Sequence, residues 1–131
     1  MRPALRGERG TATLETTLMV AVLVPLLFSI IEFGDAFQRW LAQDAATVQA
    51  ARYAAELGGD GPEVRALLDD ALRANGIDPS RATVRIEPAR VGWRQPIRVT
   101  VRSDADIAIP FVLSTTVPLR STAVARGEVN R

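Results

Sequence analysis

One segment limits what this chain can fold into more than any other. The run from Thr11 to Phe33, TATLETTLMVAVLVPLLFSIIEF, holds only two charges, Glu15 and Glu32, and the 16 residues between them are uncharged. Thr11 to Ile31 would extend about 31 Å as a helix at roughly 1.5 Å per residue, which matches the hydrocarbon thickness of a bilayer. A membrane span is therefore predicted over residues 11–33. Much of the apolar content of the 131-residue chain is concentrated there. Fewer than 100 residues remain from Gly34 onward, enough for one small two-layer domain with a modest core.

The flanks predict an orientation. Arg2, Arg6 and Arg9 precede the run, no basic residue follows it until Arg39, and Glu32 and Asp35 stand at its far end. Arginine on the short leading side places residues 1–10 in the cytoplasm and residues 34–131 outside. A cleaved secretory signal would need a shorter apolar core and a small, neutral cleavage site. The residues that follow here, Glu32-Phe33-Gly34-Asp35-Ala36-Phe37, are bulky and charged, which favours an anchor.

Composition narrows the chemistry. There are 16 basic and 15 acidic residues, and every basic one is arginine. Arg39, Arg52, Arg65 and Arg73 are scattered among acids rather than gathered on one face, so nucleic acid is not expected as a partner. Histidine and cysteine are absent, which excludes disulfides, thiol nucleophiles, the usual zinc sites and His-based catalytic arrangements. Asp69-Asp70 is an acidic pair, but neighbours on a helix diverge by about 100° and cannot flank one substrate. Neither an enzyme nor a cofactor nor a small-molecule substrate is expected.

Glu15 is the most informative residue. A carboxylate in an apolar helix costs on the order of 2.5–3.5 kcal/mol at the bilayer centre and less toward an end. It either lies one turn inside the cytoplasmic interface and reaches water, or pairs with a cation when spans pack together. The order of basic leader, Gly10, Thr11, Glu15 and apolar run resembles prepilins, whose leaders end in glycine and whose mature chains carry glutamate fifth. The resemblance implies cleavage between Gly10 and Thr11, and a Glu15 carboxylate that neutralises the new α-amino group of a neighbouring subunit. Each charge alone would be costly in lipid, and the pair offsets that cost. Processed prepilins usually carry an aromatic residue after the glutamate, where Thr16 stands here, so an uncleaved anchor is the alternative.

From Glu15 to Ala55 the chain resembles the TadE-like proteins of tight-adherence pilus assembly. The matching features are Glu15, Pro25-Leu26-Leu27, Ile31-Glu32-Phe33-Gly34, Phe37, Ala45-Ala46 and Ala51-Arg52-Tyr53-Ala54-Ala55, with a looser likeness over Pro118–Glu128. The resemblance implies a membrane-anchored minor pilin or pseudopilin in the cytoplasmic membrane of a bacterium. Its partners would be lipid and other pilin-like subunits, packed through Glu15, Pro25, Glu32, Phe33 and Gly34. Proline within a span removes one backbone hydrogen bond, and Gly34 marks a flex point or a close helix contact at the membrane exit. The alternative function is a tethered extracytoplasmic binding module unrelated to pili, for which the span is only an anchor.

Beyond the membrane an α+β domain is expected. Phe37, Trp40, Leu41, Ala45, Val48 and Ala51 or Arg52 recur at helical spacing and read as a core face. The first helix should then run from about Thr11 to the Gly58-Gly59 stop, roughly 70 Å. A second amphipathic helix should start at an Asp60 cap with Pro62 and Glu63, bury Val64, Leu67, Leu68, Ala71 and Leu72, and end at Asn75-Gly76. After Pro79 the period becomes two. Strands are predicted over Thr83–Glu87, around Ile97–Val101 and over Val117–Ala125, with Ile107–Leu113 an edge strand or packed loop because of Pro110. An antiparallel sheet of three or four strands follows, with one face on the helices. Arg98 and Arg102, with Arg85 near them, read as a solvated outer face partnered by Glu87 and Asp104.

Overall fold

A computed structural model describes residues 6–129, with side chains from Gly10 onward. Residues 1–5 of the expected leader, Arg2 among them, and the side chains of Arg6 and Arg9 lie outside the described residues. The fold is α+β, as expected. Helix α1 (Arg6–Leu57) is followed by α2 (Pro62–Ala74), a short 3-10 turn at Pro79–Arg81, and strands β1 (Thr83–Glu87), β2 (Pro96–Ile109) and β3 (Leu113–Arg126). The strands form one antiparallel sheet in the order β1-β2-β3. Helix α1 starts one turn earlier than expected and runs for 52 residues without interruption at Pro25.

Both helices stop the same way. Gly58 takes φ 83° and Gly59 N–H reaches back to Ala54 O, while Gly76 takes φ 72° and Ile77 N–H reaches Leu72 O. A left-handed residue after the last turn lets the chain reverse and satisfies a carbonyl the helix cannot, and glycine adopts it without strain. Gly59 is also held by space: a Cβ there would collide with the Ala89 carbonyl and Arg90 Cα. The start of α2 differs from expectation, because the cap residue is Gly61 and no side chain caps it. Asp60 instead accepts two hydrogen bonds from Arg65, at 3.0 and 2.6 Å, which raises the pKa of that guanidinium against partial desolvation. In the 3-10 turn, the Ser80 hydroxyl and amide both donate to Asp78 and lower its carboxyl pKa.

Strand β2 lies in the middle of the sheet, and its odd-numbered residues from Ile97 to Ile109 all turn toward the helices and are buried. Two apolar clusters result. The larger joins Ala46, Ala50 and Ala54 of α1 to Val64, Leu68 and Leu72 of α2 and to Ile86, Ile97 and Val99 of the sheet. Each Val, Leu or Ile side chain among them, once fully buried, contributes about 1.5–3 kcal/mol. The smaller cluster joins Ala36 to Ala105, Ile107, Ile109 and Leu119, with Trp40 and Val117 beside it. Between them in sequence lies a buried polar layer. Gln43 Nε2 donates to Val101 O at 3.1 Å and to Ser121 Oγ at 3.2 Å, Gln43 Oε1 accepts from Ser103 Oγ, and Thr47 Oγ1 bonds Gln43 O. No buried side-chain polar atom among the described residues lacks a partner.

Three expectations are corrected here. The face Phe37, Leu41, Ala45 and Val48 is exposed, and only Trp40 of the expected aromatic stripe packs, its indole N–H donating to Arg120 O at 3.1 Å. The sheet meets the small residues Ala36, Ala46, Ala50 and Ala54 instead, because a helix can approach a sheet closely only where its side chains are short. Ile107–Ile109 is no separate strand but the end of β2, paired as Ile107↔Thr115 and Ile109↔Leu113, and Pro110 falls in the turn, where its missing N–H costs nothing. Arg98 and Arg102 are exposed as expected and Glu87 stands across from Arg98, but among the described residues neither arginine forms an ion pair with Glu87 or Asp104; Glu87 lies 3.7 Å from Arg85, and Asp106 lies 3.8 Å from Arg81.

Candidate functional site

The N-terminal half of α1 has no protein around it. Its most apolar 18-residue window has a mean hydropathy of 2.2, and none of that window is buried. Leu14, Leu18, Val22, Leu26 and Ile30 are exposed along one side, and Met19, Leu23, Leu27 and Ile31 along others. A helix that is apolar all round and unpacked is adapted to lipid or to other helices, because water would destabilise so large an exposed apolar surface. Three of its hydroxyls bond back to the helix itself. Thr16 Oγ1 donates to Ala12 O at 2.9 Å, Thr17 Oγ1 to Thr13 O at 2.8 Å and Ser29 Oγ to Pro25 O at 2.7 Å. This back-bonding removes hydroxyl donors that a hydrocarbon interior could not satisfy.

The residues singled out from the sequence all lie on this one helix, and they do not converge on a pocket. Gly10, Thr11 and Glu15 are exposed near its start. Glu15 stands about 28 Å from Gly34 along the axis at roughly 1.5 Å per residue. At the exit, Phe33 is exposed and Gly34 has no heavy atom within 4 Å of where a Cβ would sit, so nothing in the monomer uses its small size. Glu32 is half-buried, and its Oε2 lies 3.4 Å from Ala108 N of β2. Asp35 and Arg39 pair at 2.9 Å on the exposed surface, an arrangement worth little in water. Phe37 stacks on Trp40 with ring centroids 5.7 Å apart.

Toward the domain the exposed apolar stripe continues along α1 as Phe33, Phe37, Leu41 and Val48, opposite the sheet-facing alanines. The sequence placed Phe37, Leu41 and Val48 of this stripe in the core and Phe33 in helix packing, and neither the role of Gln43 nor the contact of Glu32 with β2 was expected from it. Gln43 and Thr47 interrupting an otherwise apolar helix were the available signal for the first; nothing local announces the second. No cluster of metal-ligating residues occurs among the described residues. A cleft of about 660 Å³ opens at the far end of the domain, lined by Leu57, Asp60, Glu63, Ala89, Arg90 and Gln95, and shares no residue with the span.

The sequence profile of the TadE-like protein family matches residues 10–52. This segment is TadE-like. It covers all of the exposed apolar half of α1 and most of the half that packs on the sheet. Tyr53-Ala54-Ala55 and the Pro118–Glu128 tail, which also resembled the family, lie outside the match. No curated protein and no solved structure matches the chain. A TadE-like segment on an exposed, membrane-length apolar helix fits a single-pass, pilus-associated membrane protein.

Proposed function

We propose that this chain is a minor pilin or assembly subunit of a tight-adherence pilus, inserted with residues 1–10 in the cytoplasm, 11–33 in the bilayer and 34–131 outside. The observation that carries the reading is that the TadE-like segment coincides with one unbroken helix, half unpacked and apolar, half the spine of a folded domain. In such a chain a force or contact at the span passes directly to the domain, because no hinge separates them. TadE-like pilus proteins are structural, which agrees with a role in packing rather than catalysis.

Glu15 is the register element in this reading. Cleavage of the Gly10–Thr11 peptide bond would leave an ammonium on Thr11, and the Glu15 carboxylate of an adjacent subunit would accept hydrogen bonds from it. Pairing of the two charges in a low dielectric stabilises one axial stagger over others. The exposed position of both residues supports this, as does the start of the family match at Gly10. Pro25, Glu32, Phe33 and Gly34 would meet neighbouring spans. Glu15→Ala should leave membrane insertion intact and weaken subunit association by roughly tenfold, for a pair worth about 1.4 kcal/mol. Pilus assembly and surface adherence at wild-type levels in that variant would overturn the register role. Sequencing the N-terminus of the membrane-purified protein tests the processing step, since Thr11 is expected and Met1 would mean an uncleaved anchor.

A further inference from the structure

The turn between β2 and β3 has an unusual composition for a loop in water. Ile107 to Leu113 is seven apolar residues in succession, with Asp106 before it and Ser114 after it. Ile107 and Ile109 face α1 and are buried, but the apex is bare: Phe111 is 98% exposed, Val112 59% and Leu113 46%. Phe111 also holds a φ of 63°, a conformation that hairpin turns in water ordinarily give to glycine, asparagine or aspartate. An almost fully exposed phenylalanine in a left-handed turn is unfavourable on both counts unless something apolar receives the ring.

The position of this turn says what receives it. Strand β2 runs back along α1 toward its N-terminus, with Val101 O against Gln43 and Ala108 N against Glu32. Glu32 is the last charge of the apolar run, so Ala108 already lies at the membrane exit. Phe111 is three residues further on, about 10 Å at roughly 3.3 Å per residue. That distance corresponds to about two turns of helix, which sets the apex level with the span around Pro25 to Phe28. The polar groups of the hairpin lie level with Glu32, as Ser114 does across from Ala108, or on the domain side of it. Asp106 accepts from Thr116 Oγ1 at 3.0 Å and stands 3.8 Å from Arg81, and Ser114 and Thr115 are exposed. The turn leaves few free donors at the apex, since Pro110 has no N–H and the Val112 N–H is bonded to Ile109 O at 3.2 Å, with the Phe111 N–H left without a backbone partner among the described residues.

We propose that the β2–β3 apex, Pro110 to Leu113, embeds in the acyl region of the outer half of the bilayer beside the α1 span, as a second membrane contact of the same chain. The proposal rests on the reading of α1 as the span. The two contacts together would restrict tilt and rotation of the domain against the bilayer, where a single helix would leave both free.

The absence of cysteine allows a direct test on the full chain. Single variants Phe111→Cys, Val22→Cys and Gln49→Cys, all at exposed positions, are labelled with an environment-sensitive fluorophore and reconstituted in phosphatidylcholine vesicles. Nitroxide-bearing acyl chains should quench the labels at 111 and 22, and aqueous iodide should quench the label at 49. If the label at 22 is quenched by lipid while that at 111 responds only to iodide, the apex is in water and the proposal fails while the span stands. If none of the three is quenched by lipid, the span reading itself fails. Protection of the label at 111 from both quenchers would mean that protein, such as a second copy, covers the apex, and would also overturn the proposal.

Discussion

At the scale of single residues, Gln43 is fully buried and joins α1 to both β2 and β3. Its amide satisfies the hydroxyls of Ser103 and Ser121, so the layer is an all-or-none arrangement. Removing one partner strands the others without water, at about 1–3 kcal/mol for each group orphaned. Gln43→Met keeps the volume and length and deletes the polar end. Chemical unfolding of the variant in detergent should show a loss of about 2–4 kcal/mol, and an unchanged midpoint would mean that water replaces the amide. The layer also explains why only one register of α1 on the sheet is permitted. A slide by one helical turn would place Gln43 among Ile107, Leu119 and Trp40 or among the alanines of the larger cluster, with its amide unpaired.

At the scale of the element, the two halves of α1 differ in what surrounds them. Its first half presents apolar side chains in every direction, whereas its second half presents alanine to the sheet and an exposed stripe of Phe37, Leu41 and Val48 to the other side. Gly34 stands at the junction, and the monomer offers no steric reason for it. Gly34→Ala should therefore fold normally and stabilise the helix by about 0.5–1 kcal/mol through propensity alone. If a neighbouring span approaches closely at this point, the same substitution should reduce assembly while leaving thermal unfolding of the domain unchanged or improved. Wild-type assembly in Gly34→Ala would show that no close helix contact is made there.

At the scale of the whole molecule, span and domain are one rigid body in azimuth, because α1 passes from one to the other without a break. Two alanines inserted after Gly34 would rotate the span by about 200° relative to the domain at roughly 100° per residue. Such a chain should still insert and its domain should still melt at the same temperature. Pilus assembly should be lost if neighbouring subunits read both the span and the domain, and retained if the span only tethers. Assembly measured in cells carrying the insertion decides between an assembly subunit and a tethered module.

The long-period and short-period patterns of the chain predicted both helices and the centres of all three strands, but not the full lengths of β2 and β3. The apolar run with two acids reads as a helix in a low-dielectric setting, Gly58-Gly59 after Leu57 and the single Gly76 after Asn75 read as helix stops, and the alternation around Ile97–Val101 reads as a half-buried strand. These are local consequences of backbone hydrogen bonding and side-chain period, and they were legible residue by residue. The tertiary structure alone decided which face of α1 meets the sheet. Phe37, Leu41, Ala46 and Ala50 all recur at helical spacing, and the preference for alanine arises only when a flat sheet is brought against the helix. It likewise decided that Ile107–Leu113 becomes the end of β2 and an exposed apex rather than a fourth strand. That outcome depends on β3 pairing with β2 over its full length and on where α1 stands beside them, which no stretch of neighbouring residues encodes.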